Sequence, residues 1–390
     1  MANLKHSILK RLFPKQYGKI KPDAVIELKP HKSTKIRGRV LFSYVISSFG
    51  PKKDFLHHSN HWESYHIAKI FTEMGYVVDA INCYNSSFVP NKKYDVIFSI
   101  DAHLYKLAAL MNNNPIKLLH LTGSYPQYTN SAELKRVENL EKRKNCLYFP
   151  KRIDSSSSLS YKLLELADYC SLTGNSHTLN TFPIKLRKKI TRVIATASFL
   201  DRIKIHTEYV PKEKEFLWFG GLGAVHKGLD LLLEIFVKNP HLKLNIVGLV
   251  EHEKDFIKIY KKELYETENI KLHGFLTPSS KKFKEIVGKS FCFIAPSCSE
   301  GMSTAVATML QFGLYPIISK ENGIDLPKDC GIYLNNCSID EIEEKINKVL
   351  KLTDKELKNQ ISKIQGFALK NYSREKFDKD IRQYLKKAVK

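Results

Sequence analysis

Apolar runs of four to eight residues alternate along most of this chain with stretches in which apolar residues recur every three or four positions. The runs fit strands buried on both faces, and the stretches fit helices laid on a sheet. From Arg39 onward the pattern predicts strands over 40–47, 76–81, 94–100, 117–121, 169–172 and 191–195, with helices over 62–74, 132–144 and 160–167. A charged stretch, 198–215, contains Pro211, and the alternation then starts afresh. Strands are predicted over 216–219, 242–247, 270–272, 291–295 and 315–318, and helices over 226–237, 254–265, 280–287 and 302–312. Helical patterns follow over 340–352 and 354–370, and the Ser373-Arg374-Glu375-Lys376 run opens a last helix. Alternating strands and helices predict an α/β fold with parallel sheets covered by helices. Two such series in 390 residues predict two Rossmann-like domains facing across a cleft, where ligands bind. The expected division is an arm over 1–38, a first domain over 39–205, a second over 206–370, and a helix over 371–390 that crosses back.

Composition narrows the class. With 43% hydrophobic and 26% charged residues the chain reads as an ordinary globular protein, and no apolar run approaches the roughly 20 residues of a membrane span. The start, MANLKHSILKRLFPKQ, lacks the apolar core and small-residue cleavage site of a signal peptide, so a cytoplasmic location is expected. Seven cysteines with no CxxC pair argue against a full disulfide framework and against a zinc-ligand pattern.

Charge points to an acidic partner. There are 63 Lys and Arg against 40 Asp and Glu, a net charge of +23. Ile8, Leu9, Leu12 and Phe13 lie between Lys5, Lys10, Arg11 and Lys15, a pattern that suits a short basic helix resting on an anionic membrane face. A solvated lysine-rich arm is the alternative. No RNP-like motif or zinc finger supports nucleic-acid binding.

Candidate chemistry lies in the second series. The run from Phe216 to Asp230, FLWFGGLGAVHKGLD, is a strand, a glycine-rich loop and a helix start, in which glycines admit a bulky anion and Lys227 offers a charge to it. It contains neither GxGxxG nor GxxxxGK[ST], so it is neither a dinucleotide fingerprint nor a P-loop. The segment SFCFIAPSCSEGMSTAVATMLQFGLYPIIS places Glu300 and Gly301 in the loop between a strand and a helix start. That is the carboxyl edge of a parallel sheet, where the free N–H groups of a helix suit a phosphate or a sugar hydroxyl. An ordinary crossover with a solvated loop acid fits the same residues.

Taken in order, the Gly-Gly loop with HKGLD, then NIVG, IKLHGFL, PSCSEG and GLYPIIS resemble the donor domain of GT-B glycosyltransferases, most closely glycosyltransferase family 4. The resemblance covers 216–352 and extends less sharply to the first domain through HSNHWESYHIAKIFTEMGY and ADYCSLTGN. It implies a GT-B fold and retaining, metal-independent transfer of a sugar from a nucleotide diphosphate sugar, with no further cofactor. The implied acceptor is a glycan or lipid-linked molecule at the membrane face, in surface polysaccharide synthesis. A nucleotide-sugar epimerase of the same architecture, or a catalytically silent nucleotide-sugar-binding protein, are the other readings.

Residue by residue, the resemblance gives Lys227 the donor diphosphate, Gly220 and Gly221 the glycine loop, and Glu300 the donor sugar. It sets the amides of Gly301, Met302 and Ser303 near sugar and phosphate, the backbone of Gly274, Phe275 and Leu276 beside the base, and His120 close to the reacting sugar. Two positions depart from the family: Gly221 stands where an arginine is usual, and Thr308 where a second glutamate would grip the ribose.

Outside those motifs, His57, His58 and His61 follow the first strand. No carboxylate or cysteine lies at matching spacing for a metal, so an acceptor-side role is expected, with His61 favoured because it opens a helix at the cleft. Asn130, Glu133 and Arg136 share a helical face. They order the His120 loop or touch the acceptor, or else form a salt-bridged helix surface.

Overall fold

The computed structural model describes residues 20–50, 59–197 and 214–390. His57, His58, the amphipathic start of the basic arm and the expected domain boundary near 205 lie outside the described residues.

The first domain contains strands β1 (Val25–Leu28), β2 (Gly38–Tyr44), β3 (Tyr76–Asn82), β4 (Val96–Ser99), β5 (Ile116–Leu121), β6 (Tyr169–Thr173) and β7 (Ile190–Val193). Its helices are α1 (Ser59–Glu73), α2 (His103–Ala109), α3 (Pro126–Lys144), α4 (Ser160–Leu166) and α5 (Ser176–Asn180). The sheet order is β1-β3-β2-β4-β5-β6-β7; β1 is antiparallel to β3 and the other pairs are parallel. The expected arm over 1–38 therefore gives up its end to the sheet, because Val25–Leu28 pairs with β3 and becomes the edge strand.

The second domain contains β8 (Glu215–Gly220), β9 (Lys243–Gly248), β10 (Ile270–Leu272), β11 (Ser290–Ala295), β12 (Tyr315–Ser319) and β13 (Ile332–Leu334). Between them run α6 (Leu229–Lys238), α7 (Lys254–Ile259), α8 (Lys261–Tyr265), α9 (Lys281–Lys289) and α10 (Thr304–Gln311), followed by α11 (Ile339–Leu350) and α12 (Asp354–Asn371). The order β10-β9-β8-β11-β12-β13 is parallel throughout, the doubly wound arrangement whose direction of winding reverses between β8 and β11.

Every residue of β3, β4, β11 and β12 is buried, as expected for strands with helices on both faces. Local signals set the helix ends. Ser303 caps α10 by accepting from Val306 N–H, and Thr353 and Glu356 form a capping box at α12.

The last helix, α13 (Arg374–Ala388), leaves the second domain and covers the first. Phe377, Ile381, Tyr384 and Leu385 are buried in one core with Val40, Phe42, Val78 and Phe98, which bears out the expected crossing. The two domains meet at the carboxyl ends of their strands: Ser124 Oγ donates to Glu300 O at 2.6 Å, and Thr178 Oγ1 to Gly301 O at 2.9 Å. Among the described residues no helix is long and apolar enough to cross a membrane.

Candidate active site

The reversal between β8 and β11 leaves a crevice that two loops enter. One loop follows Gly220, the last residue of β8, and carries Gly221 and Lys227; the other follows β11 and carries Glu300. The Lys227 ammonium donates to Glu300 Oε1, and both side chains are mostly buried. Two residues 73 positions apart meet because their strands are neighbours in register, Cys292 beside Phe216 and Phe293 beside Leu217.

Burial alone would raise the Glu300 carboxyl, but Lys227, Arg152 and His226 together hold it down at about 2. The acid is therefore an anion with its charge already compensated. It accepts hydrogen bonds and does not donate a proton near neutrality.

Gly301 permits the close approach of the two domains. A Cβ there would stand 2.6 Å from Thr122 O, so any larger residue would push the loop after β5 away from the loop after β11. Gly221 faces open space, since a Cβ built on it meets nothing within 4 Å.

His226, immediately before Lys227, is buried. Its Nδ1 lies 2.5 Å from Glu133 Oε2 and its Nε2 faces Ser299 O, so the ring bridges the first domain's helix and the loop that carries Glu300. Glu133 also accepts from the N–H groups of Lys151 at 2.8 Å and Arg152 at 3.2 Å. Its burial would raise the carboxyl, but His226 and those two N–H groups bring it below the usual range. Glu133, His226 and Cys298 gather their donor atoms within 4.8 Å of one another, which is a spacing a metal ion would accept. The hydrogen bonds of Glu133 and His226 account for that gathering, and burial pushes the Cys298 thiol up to about 12.

Several expected positions turn out otherwise. His120 was expected near the reacting sugar, but its strand faces it into the first domain, where it is fully buried. Its Nδ1 pairs with Ser171 Oγ at 2.7 Å and its Nε2 with Glu63 Oε1 at 2.9 Å. The loop after it, Thr122 to Ser124, is what reaches residues 300 and 301. Glu133 and Arg136 are not a solvent-facing helix surface: both are buried between the domains, and Arg136 donates to Pro296 O at 2.9 Å. Ser303 N–H, expected to face the donor, is used on Asn322 O at 2.8 Å. The hydroxyl of Thr308 is turned back to Thr304 O at 2.6 Å, and the residue is fully buried. Met302 is buried, and its sulfur accepts from Ala195 N–H.

The remaining expected residues line the same edge of the sheets. Gly274 O accepts from Gly248 N–H, at the end of β9, at 3.0 Å, Phe275 is 38% exposed, and Leu276 packs on the core. His61 lies near the carboxyl end of β2, with Nε2 3.2 Å from Ser47 Oγ. Sequence reasoning passed over two residues. His226 stood inside the quoted HKGLD motif, but its partner, Glu133, is 93 residues away. Arg152 had no motif of its own.

Residues 201–365 match the family model described as glycosyl transferases group 1. No curated protein matches the chain by sequence. Among solved structures, HepE of Anabaena, in complex with UDP-glucose, superposes with a TM-score of 0.59 at 11% identity, over 90% of this chain and 100% of that one. Sucrose-phosphate synthase of Thermosynechococcus elongatus gives 0.63 at 12%, over 90% and 99%. A glycosyltransferase of Rickettsia africae gives 0.61 at 13%, over 91% and 99%. At these identities the likeness is one of fold.

Proposed function

From a chain of GT-B architecture whose residues 201–365 are a glycosyl transferases group 1 domain, we propose a retaining glycosyltransferase that uses a nucleotide diphosphate sugar and needs no metal. The observation that carries this reading is the Lys227–Glu300 pair across the β8/β11 reversal, beside a glycine loop and the capped start of α10. Glu300 is an ionised acceptor for donor-sugar hydroxyls, and Lys227 stabilises the charge that grows on the diphosphate as it leaves. In the reaction the bond from the anomeric carbon to the diphosphate oxygen breaks. The acceptor hydroxyl bonds to that carbon from the same face, and its proton passes to the departing phosphate oxygen.

The acceptor is a glycan or a lipid-linked molecule, as in surface polysaccharide synthesis. Net charge of +23 and a last helix rich in lysine favour work at an anionic membrane face. Co-sedimentation with phosphatidylserine vesicles but not with neutral ones is expected; equal recovery from both would remove the membrane part of the reading.

The test of the site is turnover of a panel of sugar nucleotides by Lys227→Ala and Glu300→Ala. Each variant is expected to lose transfer while keeping the far-ultraviolet circular dichroism of the parent, and near-normal rates in both would overturn the assignment. A donor-only incubation separates an epimerase, which would convert the sugar with no acceptor present.

A further inference from the structure

Besides the buried His226, two basic side chains from different parts of the chain act on Glu300: Lys227, in the loop after β8, and Arg152, in the loop after α3. Lys227 is bonded to Glu300 directly. Arg152 is exposed, and no ion pair of its guanidinium is found among the described residues.

Its position is nonetheless fixed. Its own N–H and that of Lys151 are held by the buried Glu133 carboxylate, the Lys151 ammonium pairs with Asp255, and Asp154 bonds twice to Asn130, through its N–H at 2.8 Å and its carbonyl at 3.0 Å. Beyond that anchor the aliphatic stem lies on the glycine loop. Gly223 has φ +95°, and a Cβ on it would be 2.9 Å from Arg152 Cγ and 3.1 Å from Cδ. A glycine is required there both by the backbone and by the stem above it. Two residues earlier, Gly221 leaves open space.

A diphosphate brings more than one negative charge into a site where the one directly placed lysine already compensates Glu300. A second cation is needed, and a guanidinium, with its planar fork of donors, suits two phosphate oxygens better than an ammonium does. We infer that Arg152 is a diphosphate-binding residue that completes a two-cation clamp with Lys227. The inference rests on the donor reading above. It adds that one jaw of the clamp comes from the first half of the sequence, carried to the glycine loop by α3 and the chain after it.

The experiment is calorimetric titration of the full chain, and of Arg152→Ala and Arg152→Lys, with UDP, GDP and ADP and with the matching monophosphates. Arg152→Ala is expected to weaken the preferred diphosphate by about 10-fold or more, the loss of a charge-assisted hydrogen bond, and to change the monophosphate by less than about 2-fold. Arg152→Lys should recover part of the difference. Unchanged diphosphate affinity in Arg152→Ala, or an equal loss for both phosphate classes, would overturn the inference while leaving the donor reading intact. A parent protein that binds none of the six nucleotides would instead sink the donor reading, and the inference with it. A thermal midpoint of Arg152→Ala within about 1 °C of the parent distinguishes lost contact from lost fold.

Discussion

Burial raises a carboxyl and nearby cations lower it, so the neighbours of Glu300 and of Asp101 decide opposite outcomes for two acids. Glu300, with Lys227, Arg152 and His226 around it, is held at about 2. Because that value lies below the ordinary one, its stabilising contribution is complete above about pH 4.5 and is lost only as pH falls toward 2. An acid limb in a pH–rate profile between 5 and 7 therefore belongs to another group. Asp101 has no such cation: burial pushes it up to about 6, against the one hydrogen bond from His103 N–H and a contact with Ser99. Here the sign reverses. Stability is complete below about pH 3.8 and falls as pH rises through 6, so at pH 7 the ionised group costs stability. Asp101→Asn, which keeps the acceptor for His103 N–H, should raise stability at pH 7 by about 1–2 kcal/mol and by nothing at pH 3.5. Urea titrations at the two pH values check it, and an equal effect at both would refute the ionisation argument. The opposite directions of the two shifts are not legible in local sequence, since both acids follow an apolar strand and their charged neighbours come from elsewhere in the chain.

At the scale of elements, α3 belongs to the first domain by chain position and to the second by packing. Val137 and Leu140, with Tyr148 just beyond the helix, lie in the core that contains Phe216 and Trp218. Arg143 pairs with Asp230 and Glu234, Lys144 with Glu263 at 2.9 Å, and Tyr148 Oη donates to Glu253 at 3.1 Å. The helix thereby ties the domains together, and the Glu133–His226 pair is its most buried bond across them. Glu133→Ala leaves His226 and two backbone N–H groups without their acceptor, which costs about 3 kcal/mol for a buried pair broken on one side. The expected reading is a lower denaturation midpoint together with lost transfer; an unchanged midpoint would show that the bond does not hold the interface. The pattern of apolar residues predicts where this helix runs but not which domain it covers, because an apolar stripe fits any complementary face. The same limit explains what pattern reading missed. β1 has four residues on an edge, alternately exposed and half-buried, β13 has three residues, and α5 has five, too few for a period to show.

At the scale of the molecule, the chain's last helix completes the first domain's core. Phe377 is fully buried and packs against Trp62 at a centroid distance of 5.5 Å, beside Ile381 and Tyr384. Phe377→Ala should destabilise the protein by about 3–5 kcal/mol, and limited proteolysis should then cut first within the first domain, far from the substitution in sequence. Cleavage confined to the tail would contradict that coupling. The sequence by itself determined the two parallel α/β halves, the places of most strands along the chain, the returning helix and the Lys227 and Glu300 loops, because each follows from local periodicity or from a motif placed at a strand end. Only the tertiary structure decided that His120 turns inward, that Glu133 is the partner of His226, that Thr308 is occupied within its own helix, and that Arg152 lies on the glycine loop. Those outcomes depend on which face of an element meets which neighbour across the domain boundary. That choice is made by packing and by the pairing of buried charge, over separations that no local pattern records.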